Sequence, residues 1–283
     1  MTQSLKQAIG HREGVLTTLA STQELIDRRN PDHHVTIEPT AKWIRVMHNG
    51  VYIADSKRAL LLFETGHVPA YYFPKEDVRM DLMVPTPHVT QCPYKGDAEY
   101  WTVKVGDAAD SENALWAYPE PFDICPDISN YVAFYWNKVE HWFEEDEEVF
   151  VHARDPHKRV DVMPSTRKVK VVLGGETIAE SDRPTLLFET GVPVRYYLPV
   201  SDVRVDLLEA SEKVTQCPYK GAANYFSVKG AKDGEDLAWY YRYPTNEASK
   251  VANLVCFFNE RVDALYVDGE LQDKPVNKWS KKG

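Results

Sequence analysis

The sequence predicts a mainly β protein made of two tandem copies of a small antiparallel domain, preceded by a short helical N-terminal arm. An internal duplication sets the number of domains. Many short β-prone runs end in turns that contain glycine, which favours antiparallel strands over helices. The chain has 283 residues, enough for two domains that each bury a core.

The duplication is visible as long identities at one fixed offset. Val89–Gly96 reads VTQCPYKG and recurs as Val214–Gly221, so the offset is 214 − 89 = 125. Leu61–Gly66 recurs as Leu186–Gly191 at the same offset. A two-residue deletion then lowers the offset to 123, as three aromatic pairs show: Trp116 with Trp239, Tyr118 with Tyr241 and Phe134 with Phe257.

The repeat boundaries divide the chain into five segments. Residues 1–36 are a predicted helical arm, 37–149 and 162–273 are the two β domains, 150–161 are a linker, and 274–283 are a flexible tail.

The arm carries helix signals. Ser21-Thr22-Gln23-Glu24 has the form of a capping box, and Asn30-Pro31 should end the helix. Rough helical spacing precedes the box at four apolar residues: Leu5, Ile9, Leu16 and Leu19.

Alternating apolar residues and glycine turns locate the strands. The first strand of each copy is followed by a glycine turn, Asn49-Gly50 or Gly174-Gly175. Asp268-Gly269, a hairpin-turn dipeptide, ends the last run. The predicted strands are 42–47, 59–64, 100–105, 115–118 and 132–139 in copy 1, and 168–173 and 262–269 in copy 2.

Composition argues against some partners. The net charge of −10 opposes a phosphate backbone, so we expect no nucleic acid partner. No apolar run reaches about 18 residues, which predicts no membrane partner, and the polar N-terminus lacks the apolar stretch of a signal peptide. The 4 cysteines form no Cys-x-x-Cys pair, which is typical of a reducing compartment. We therefore expect a cytoplasmic protein.

Glu64 and its repeat Glu189 are the first candidates for catalysis. Each ends an apolar strand and shares a strand face with the leucine two residues earlier. If that face lines the interior, desolvation raises the carboxyl pKa toward a value suited to a general acid or base. The alternatives are a structural ion pair with Arg79 or Arg204, or a side chain that leaves the strand into solvent.

The repeated Thr-Gln-Cys-Pro-Tyr-Lys-Gly string adds an amine and a thiol. Its Pro and Gly favour a tight turn, but a turn requires neither Cys nor Lys. Lys95 and Lys220 are therefore candidate catalytic amines. Cys92 and Cys217 are candidate substrate contacts, as thiolates activated by a nearby cation or as small buried side chains.

Repeated aromatic residues complete the candidate site. Tyr71 and Tyr72 must point to opposite strand faces, and we expect Tyr72, with Tyr197 in copy 2, to direct its hydroxyl into a pocket. Core packing with a satisfied hydroxyl is the alternative. Four more aromatic residues could wall a ligand pocket or fill the core: Trp116, Tyr118, Trp239 and Tyr241.

The repeat also predicts an ion pair. Asp77 and Arg79, matched by Asp202 and Arg204, should form an exposed ion pair on one strand face.

All 9 histidines precede residue 158, so a mechanism shared by both copies cannot use histidine. If copy 1 alone is active, three histidines could contribute: His67, His88 and His141.

No sequence motif indicates a cofactor. The phosphate loop GxxxxGK[ST], the dinucleotide motif GxGxxG, and the GxSxG and HExxH motifs do not occur. His88 and Cys92 have the spacing of metal ligands, but Lys213 replaces the histidine in copy 2. We expect neither a metal nor a cofactor.

Both copies resemble family 427 of the domains of unknown function. In copy 1 the resemblance rests on five strings: Phe63-Glu64, Tyr71-Tyr72-Phe73-Pro74, Asp77-Val78-Arg79, Cys92-Pro93-Tyr94-Lys95-Gly96 and Trp116-Ala117-Tyr118-Pro119. It implies a small, tent- or barrel-like antiparallel fold. The family has also carried a nucleotidyltransferase-like label, but the sequence has no glycine-rich phosphate loop and no paired metal-binding acids.

Two functions fit these residues. The first is an enzyme of lyase, isomerase, cyclase or hydrolase type that acts on a small organic molecule by carboxylate acid–base chemistry without a cofactor. The second is a non-catalytic module that binds a small molecule or a protein. Because a tandem chain can reproduce a two-fold pair internally, we expect a pseudo-dimeric monomer.

Overall fold

The computed structural model describes residues 20–280, and the chain divides into two compact units with the boundary between residues 145 and 146. The protein is mainly β, as predicted. Among the described residues, no helix is both long and apolar enough to cross a membrane.

Helix α1 (Thr22–Asp27) has the predicted capping box. The Glu24 backbone N–H donates to Ser21 Oγ at 3.2 Å, and the Ser21 backbone N–H donates to Glu24 Oε2 at 2.6 Å. The helix ends three residues before Asn30. The apolar residues expected to precede it, Leu5, Ile9, Leu16 and Leu19, lie outside the described residues.

Unit 1 contains ten strands and three short 3-10 turns. The strands are β1 (Val35–Pro39), β2 (Ile44–His48), β3 (Val51–Ser56), β4 (Leu60–Glu64), β5 (Ala70–Pro74), β6 (Met83–Cys92), β7 (Gly96–Val103), β8 (Ser111–Ala117), β9 (Tyr131–Phe134) and β10 (His141–Glu144). The 3-10 turns are Lys75–Asp77, Met80–Leu82 and Trp136–Lys138.

From β12 onward, unit 2 repeats this order. Its strands are β11 (Glu147–Val149), β12 (Val160–Pro164), β13 (Val169–Leu173), β14 (Glu176–Ser181), β15 (Thr185–Glu189), β16 (Val192–Leu198), β17 (Leu208–Cys217), β18 (Gly221–Val228), β19 (Ala238–Pro244), β20 (Val255–Phe257), β21 (Ala264–Val267) and β22 (Glu270–Leu271). Its 3-10 turns are Val200–Asp202, Val205–Leu207 and Asn246–Val251.

Each unit has one large and one small antiparallel sheet. The large sheets run β1-β4-β5-β9-β8-β7-β6 and β12-β15-β16-β20-β19-β18-β17. The small sheets run β11-β10-β2-β3 and β14-β13-β21-β22. Because each large sheet keeps two edge strands over the described residues, neither is a closed barrel.

Several predicted boundaries differ from the structure. Strands β1 and β12 begin at Val35 and Val160, two residues inside the predicted arm and linker. The predicted strand 132–139 is shorter, because β9 ends at Phe134 and the chain then turns through Trp136–Lys138.

The large sheet separates two cores. In unit 2, Leu198 packs in a cluster with small-sheet residues such as Val171 and Leu265, whereas neighbouring Tyr197 packs on the opposite face with Trp239. We call the face that carries Tyr72 in unit 1 and Tyr197 in unit 2 the inner face. Strand alternation places the candidate residues there.

Candidate functional site

Glu64 and Lys95 form a nearly buried ion pair on the inner face of unit 1. Lys95 Nζ donates to Glu64 Oε2, and the two side chains are 8% and 13% exposed. Lys95 also lies over the Tyr118 ring, 5.7 Å from its centroid. The structure therefore brings together three residues that the sequence analysis selected separately.

The turn between β6 and β7 positions Lys95. Cys92 pairs with Gly96 across the hairpin, so Pro93-Tyr94-Lys95 forms the tight turn. Gly96 has φ +108°, and a Cβ there would lie 3.0 Å from the Glu120 carbonyl oxygen. The glycine thus allows both the backbone conformation and the close approach of the following loop.

Replacing Gly96 with alanine is expected to lower the free energy of unfolding by about 1–3 kcal/mol. Gly106→Ala is the matched control, because Gly106 also has a positive φ (+58°) but has no atom within 4 Å of the added Cβ. Chemical denaturation measures both variants. Equal losses would mean that the contact with Glu120 adds nothing.

His33 is the functional residue that the sequence analysis missed. His33 Nε2 lies 3.1 Å from Glu64 Oε1, and its ring stacks on Tyr94 with centroids 3.8 Å apart. The Asn30 backbone N–H donates to Tyr94 Oη at 2.6 Å, which anchors this segment. Glu64 therefore takes one contact from each of two basic side chains.

A repeat signal could have found His33. The Asp155 backbone N–H donates to Tyr219 Oη at 2.8 Å, so the Asn30–Tyr94 contact recurs in unit 2. The offset of 125 thus extends upstream of residue 37, into the predicted arm. At that offset Lys158 replaces His33, and a search for residues shared by both copies discards it.

The expected pKa shift of Glu64 was wrong in direction. Burial raises the pKa of the Glu64 carboxyl, as anticipated. Hydrogen bonds and charges from Lys95, with His33 and the His67 charge, outweigh burial and hold the pKa below its ordinary value. Glu64 is therefore a carboxylate at neutral pH, paired with Lys95 and not with Arg79.

Tyr72 lies deep on the same face. It is 1% exposed, and its hydroxyl accepts a hydrogen bond from Trp116 Nε1 at 3.1 Å. Burial raises its pKa well above the ordinary value, so the hydroxyl stays protonated. Cys92 is a half-buried free thiol that packs against this cluster. Together with Tyr118, all six candidate residues of copy 1 lie on the inner face.

Unit 2 repeats the framework. Lys220 Nζ donates to Glu189 Oε2, and Trp239 Nε1 donates to Tyr197 Oη at 3.1 Å. Lys158 Nζ lies 4.0 Å from Glu189 Oε1, in the place of His33. Tyr241 is buried in the inner-face cluster, and Cys217 is a half-buried free thiol.

A buried ion pair distinguishes the inner face of unit 2. Arg195 donates to both carboxylate oxygens of Glu260, at 2.7 and 2.8 Å, and the side chains are 6% and 0% exposed. The guanidinium lies between 5.3 and 5.8 Å from the ring centroids of three aromatic residues: Trp239, Phe258 and Trp279. At the offsets of 125 and 123, the unit 1 counterparts of the ion pair are Ala70 and Asn137.

Part of the predicted flexible tail is tied to this pair. Asn277 Nδ2 donates to Glu260 Oε1 at 2.7 Å, and Trp279 is the third ring beside Arg195. The segment from Asn277 to Ser280 therefore packs against the Arg195–Glu260 pair. Sequence reasoning missed it because the segment lies outside the repeat.

The predicted Asp77–Arg79 ion pair is absent, because these residues flank 3-10 turns and do not share a strand face. Arg79 pairs with Asp81 at 2.6 Å, whereas Asp77 pairs with Arg58 at 2.6 Å and accepts a hydrogen bond from Ser56. In unit 2, Asp202 pairs with Arg183 and accepts a hydrogen bond from Ser181 in the same way. These three residues border an open depression of about 480 Å³. The depression is lined by Lys168, Glu180, Ser181, Asp182, Arg183 and Asp202.

The three histidines proposed from the sequence have different positions. The His67 ring lies 6.3 Å from the His33 ring, close to Glu64. The His88 ring rests 4.5 Å from Tyr100 on the inner face. His141 lies on β10 in the small sheet, away from the inner face.

Comparison with protein families supports the duplication. The family model described as "Domain of unknown function (DUF427)" matches residues 36–145 and again residues 161–268. Comparison with curated proteins gives no match. The two matched segments cover most of the chain, and the chain therefore belongs to the DUF427 family as a tandem duplication of its domain.

Proposed function

We propose that unit 1 is an acid–base enzyme that acts on a small organic molecule, with His33 as the group that exchanges the proton. The observation that carries this proposal is the carboxylate of Glu64, which contacts both His33 and Lys95 on the inner face. Unit 1 alone has this set, because unit 2 has Lys158 in the place of His33.

Glu64 orients His33 in this proposal. Because Glu64 is ionised, it accepts the Nε2–H of His33, and Nδ1 then carries the lone pair that removes a proton. Stacking on Tyr94 fixes the plane of the imidazole. Lys95 keeps Glu64 charged and buried, so the carboxylate does not compete for the substrate proton.

The second candidate function is a non-catalytic binding module. The low pKa of Glu64 favours it, since a fully paired carboxylate is also what a structural ion pair requires. In this alternative, the inner face of unit 1 binds the ligand but transfers no proton.

Exchange of carbon-bound protons with solvent deuterium tests the proposal. Small ketones are incubated with the full chain in D₂O, and loss of the signal next to the carbonyl is followed by NMR. Replacing His33 with asparagine is expected to lower the exchange rate by about 10²–10⁴-fold. Glu64→Gln should also lower it, because the imidazole loses its orientation.

Matched variants in unit 2 serve as controls. Glu189→Gln and Lys158→Gln alter the corresponding pair and should leave the exchange rate unchanged. Equal losses from Glu64→Gln and Glu189→Gln, with none from His33→Asn, would overturn the proposal. Binding of ketones without any exchange would favour the module.

A further inference from the structure

Unit 2 has an open depression at a place where unit 1 carries a tryptophan. The depression measures about 480 Å³ and is lined in part by Lys168, Glu180 and Asp182. Sites for small molecules have volumes of about 300–1,000 Å³, so it is large enough for one. At the offset of 125, the unit 1 counterparts of these three residues are, in order, Trp43, Asp55 and Lys57.

The backbone is alike at the two places. Arg45 pairs with Asp55 across β2 and β3, and Lys170 pairs with Glu180 across β13 and β14. Both pairs of strands have a register shift at the same repeat position, after Val46 in unit 1 and after Val171 in unit 2. The difference between the two places therefore comes from their side chains.

The indole of Trp43 shows which group fits this place. Its Nε1–H donates to Asp55 Oδ1 at 2.6 Å, and the guanidinium of Arg45 lies over the ring, 4.0 Å from its centroid. Unit 2 keeps a carboxylate at the first of these positions, as Glu180, and a cation at the second, as Lys170. A flat ring with an N–H donor should therefore fit the depression of unit 2.

Three charged side chains that line the depression have no partner. Those of Lys168, Glu180 and Asp182 make neither a hydrogen bond nor an ion pair within residues 20–280. Neighbouring Arg183, by contrast, pairs with Asp202 at 3.0 Å. The three unpaired groups are two carboxylates and one ammonium, so a complementary ligand has two donor groups and one anionic group.

The charged end of such a ligand has a defined place. Val169 pairs with Ser181, so the next residues of the two strands, Lys168 and Asp182, are neighbours. Lys168 also stands at the position from which Trp43 extends its indole in unit 1. A free amino acid whose ring lies as that of Trp43 does thus brings its ammonium and carboxylate to these two side chains.

We propose that the depression of unit 2 binds a free amino acid with an indole side chain. The ring N–H donates to Glu180, the ammonium donates to Asp182, and the carboxylate accepts from Lys168. Unit 1 cannot bind the same ligand, because its own indole occupies the place and Lys57 there repels an ammonium. This inference does not depend on the function proposed for unit 1.

Titration of the full chain with L-tryptophan, followed by NMR of the ligand, tests the proposal. Three related probes each lack one of the contacts: tryptamine has no carboxylate, indole-3-propionate has no ammonium, and phenylalanine has no ring N–H. Each should bind about three- to tenfold more weakly than tryptophan. Equal or tighter binding of any of the three would overturn the proposal.

Two variants assign the contacts at the charged end. Lys168→Met should weaken binding of tryptophan by about three- to tenfold but should not weaken binding of tryptamine, which makes no contact with the lysine. Asp182→Asn should weaken binding of tryptophan but not of indole-3-propionate. Equal losses for both ligands in either variant would contradict the assigned contacts.

A filling variant copies unit 1. Lys168→Trp places the chain's own indole in the depression and should abolish binding of tryptophan, whereas binding that survives it would overturn the proposal. Hydrogen exchange of β13 and β14 amides checks that unit 2 is folded, and Lys168→Met decides the test if it is not. Lys57→Asn is the matched control for Asp182→Asn, since it changes the same repeat position in unit 1, and it should leave binding unchanged.

Discussion

Replacing Glu260 with glutamine is expected to lower the free energy of unfolding of unit 2 by about 3–5 kcal/mol. The change leaves the Arg195 guanidinium buried without its carboxylate, at a site where both side chains are almost fully removed from water. The aromatic rings around the guanidinium compensate only in part. Hydrogen exchange of β16 and β20 amides reports the loss for unit 2 specifically.

Unit 1 supplies the control for this experiment. The double variant Arg195→Ala/Glu260→Asn gives unit 2 the residues that unit 1 has at these positions, Ala70 and Asn137. Because no buried charge remains, it should be more stable than the single Glu260→Gln variant. A double variant that is as unstable as the single one would show that packing of the arginine, and not its charge, holds the site.

The contribution of Glu260 to the stability of unit 2 depends on pH. Burial raises its pKa, but hydrogen bonds from Arg195 and Asn277 outweigh burial and hold the pKa below the ordinary value. A carboxyl whose pKa is lower in the folded state stabilises the fold above its unfolded pKa of about 4.3, and the contribution is lost as the pH falls through the folded pKa. The difference in free energy of unfolding between the wild type and Glu260→Gln should therefore become smaller below about pH 4.

The repeat made most of the fold predictable. Turn dipeptides such as Asn49-Gly50 fix where strands end, because their conformation is local. Strand alternation placed Tyr71 and Tyr72 on opposite faces, and Tyr71 does point away, toward Glu144 in the small sheet. Alternation alone did not relate Glu64 to Tyr72; the register of β4 and β5, in which Leu60 pairs with Tyr72, does so.

The missed features depend on long-range pairing. Arg195 and Glu260 are 65 residues apart and occur in one copy only, so neither pattern nor repeat links them. The direction in which the pKa of Glu64 shifts depends on Lys95, which is 31 residues away. A strand pattern cannot place that lysine beside Glu64. His33 was lost because the search favoured residues that both copies share, and the copies differ at that position.

Replacing Lys95 with methionine is expected to lower the free energy of unfolding of unit 1 by about 3 kcal/mol. Glu64 then keeps only His33 as a hydrogen-bonded basic partner. A nearly buried carboxylate that loses its ammonium partner is strongly destabilising, and this is the reason for the expected loss.

Lys220→Met in unit 2 is the matched control. Glu189 keeps the ammonium of Lys158, 4.0 Å away, whereas Glu64 keeps the imidazole of His33. The control should therefore lose less stability than Lys95→Met. Hydrogen exchange of β4 and β15 amides separates the two units. Equal losses in both variants would show that the imidazole of His33 and the ammonium of Lys158 support their carboxylates alike, and the difference between the units on which the proposed function depends would lose its basis.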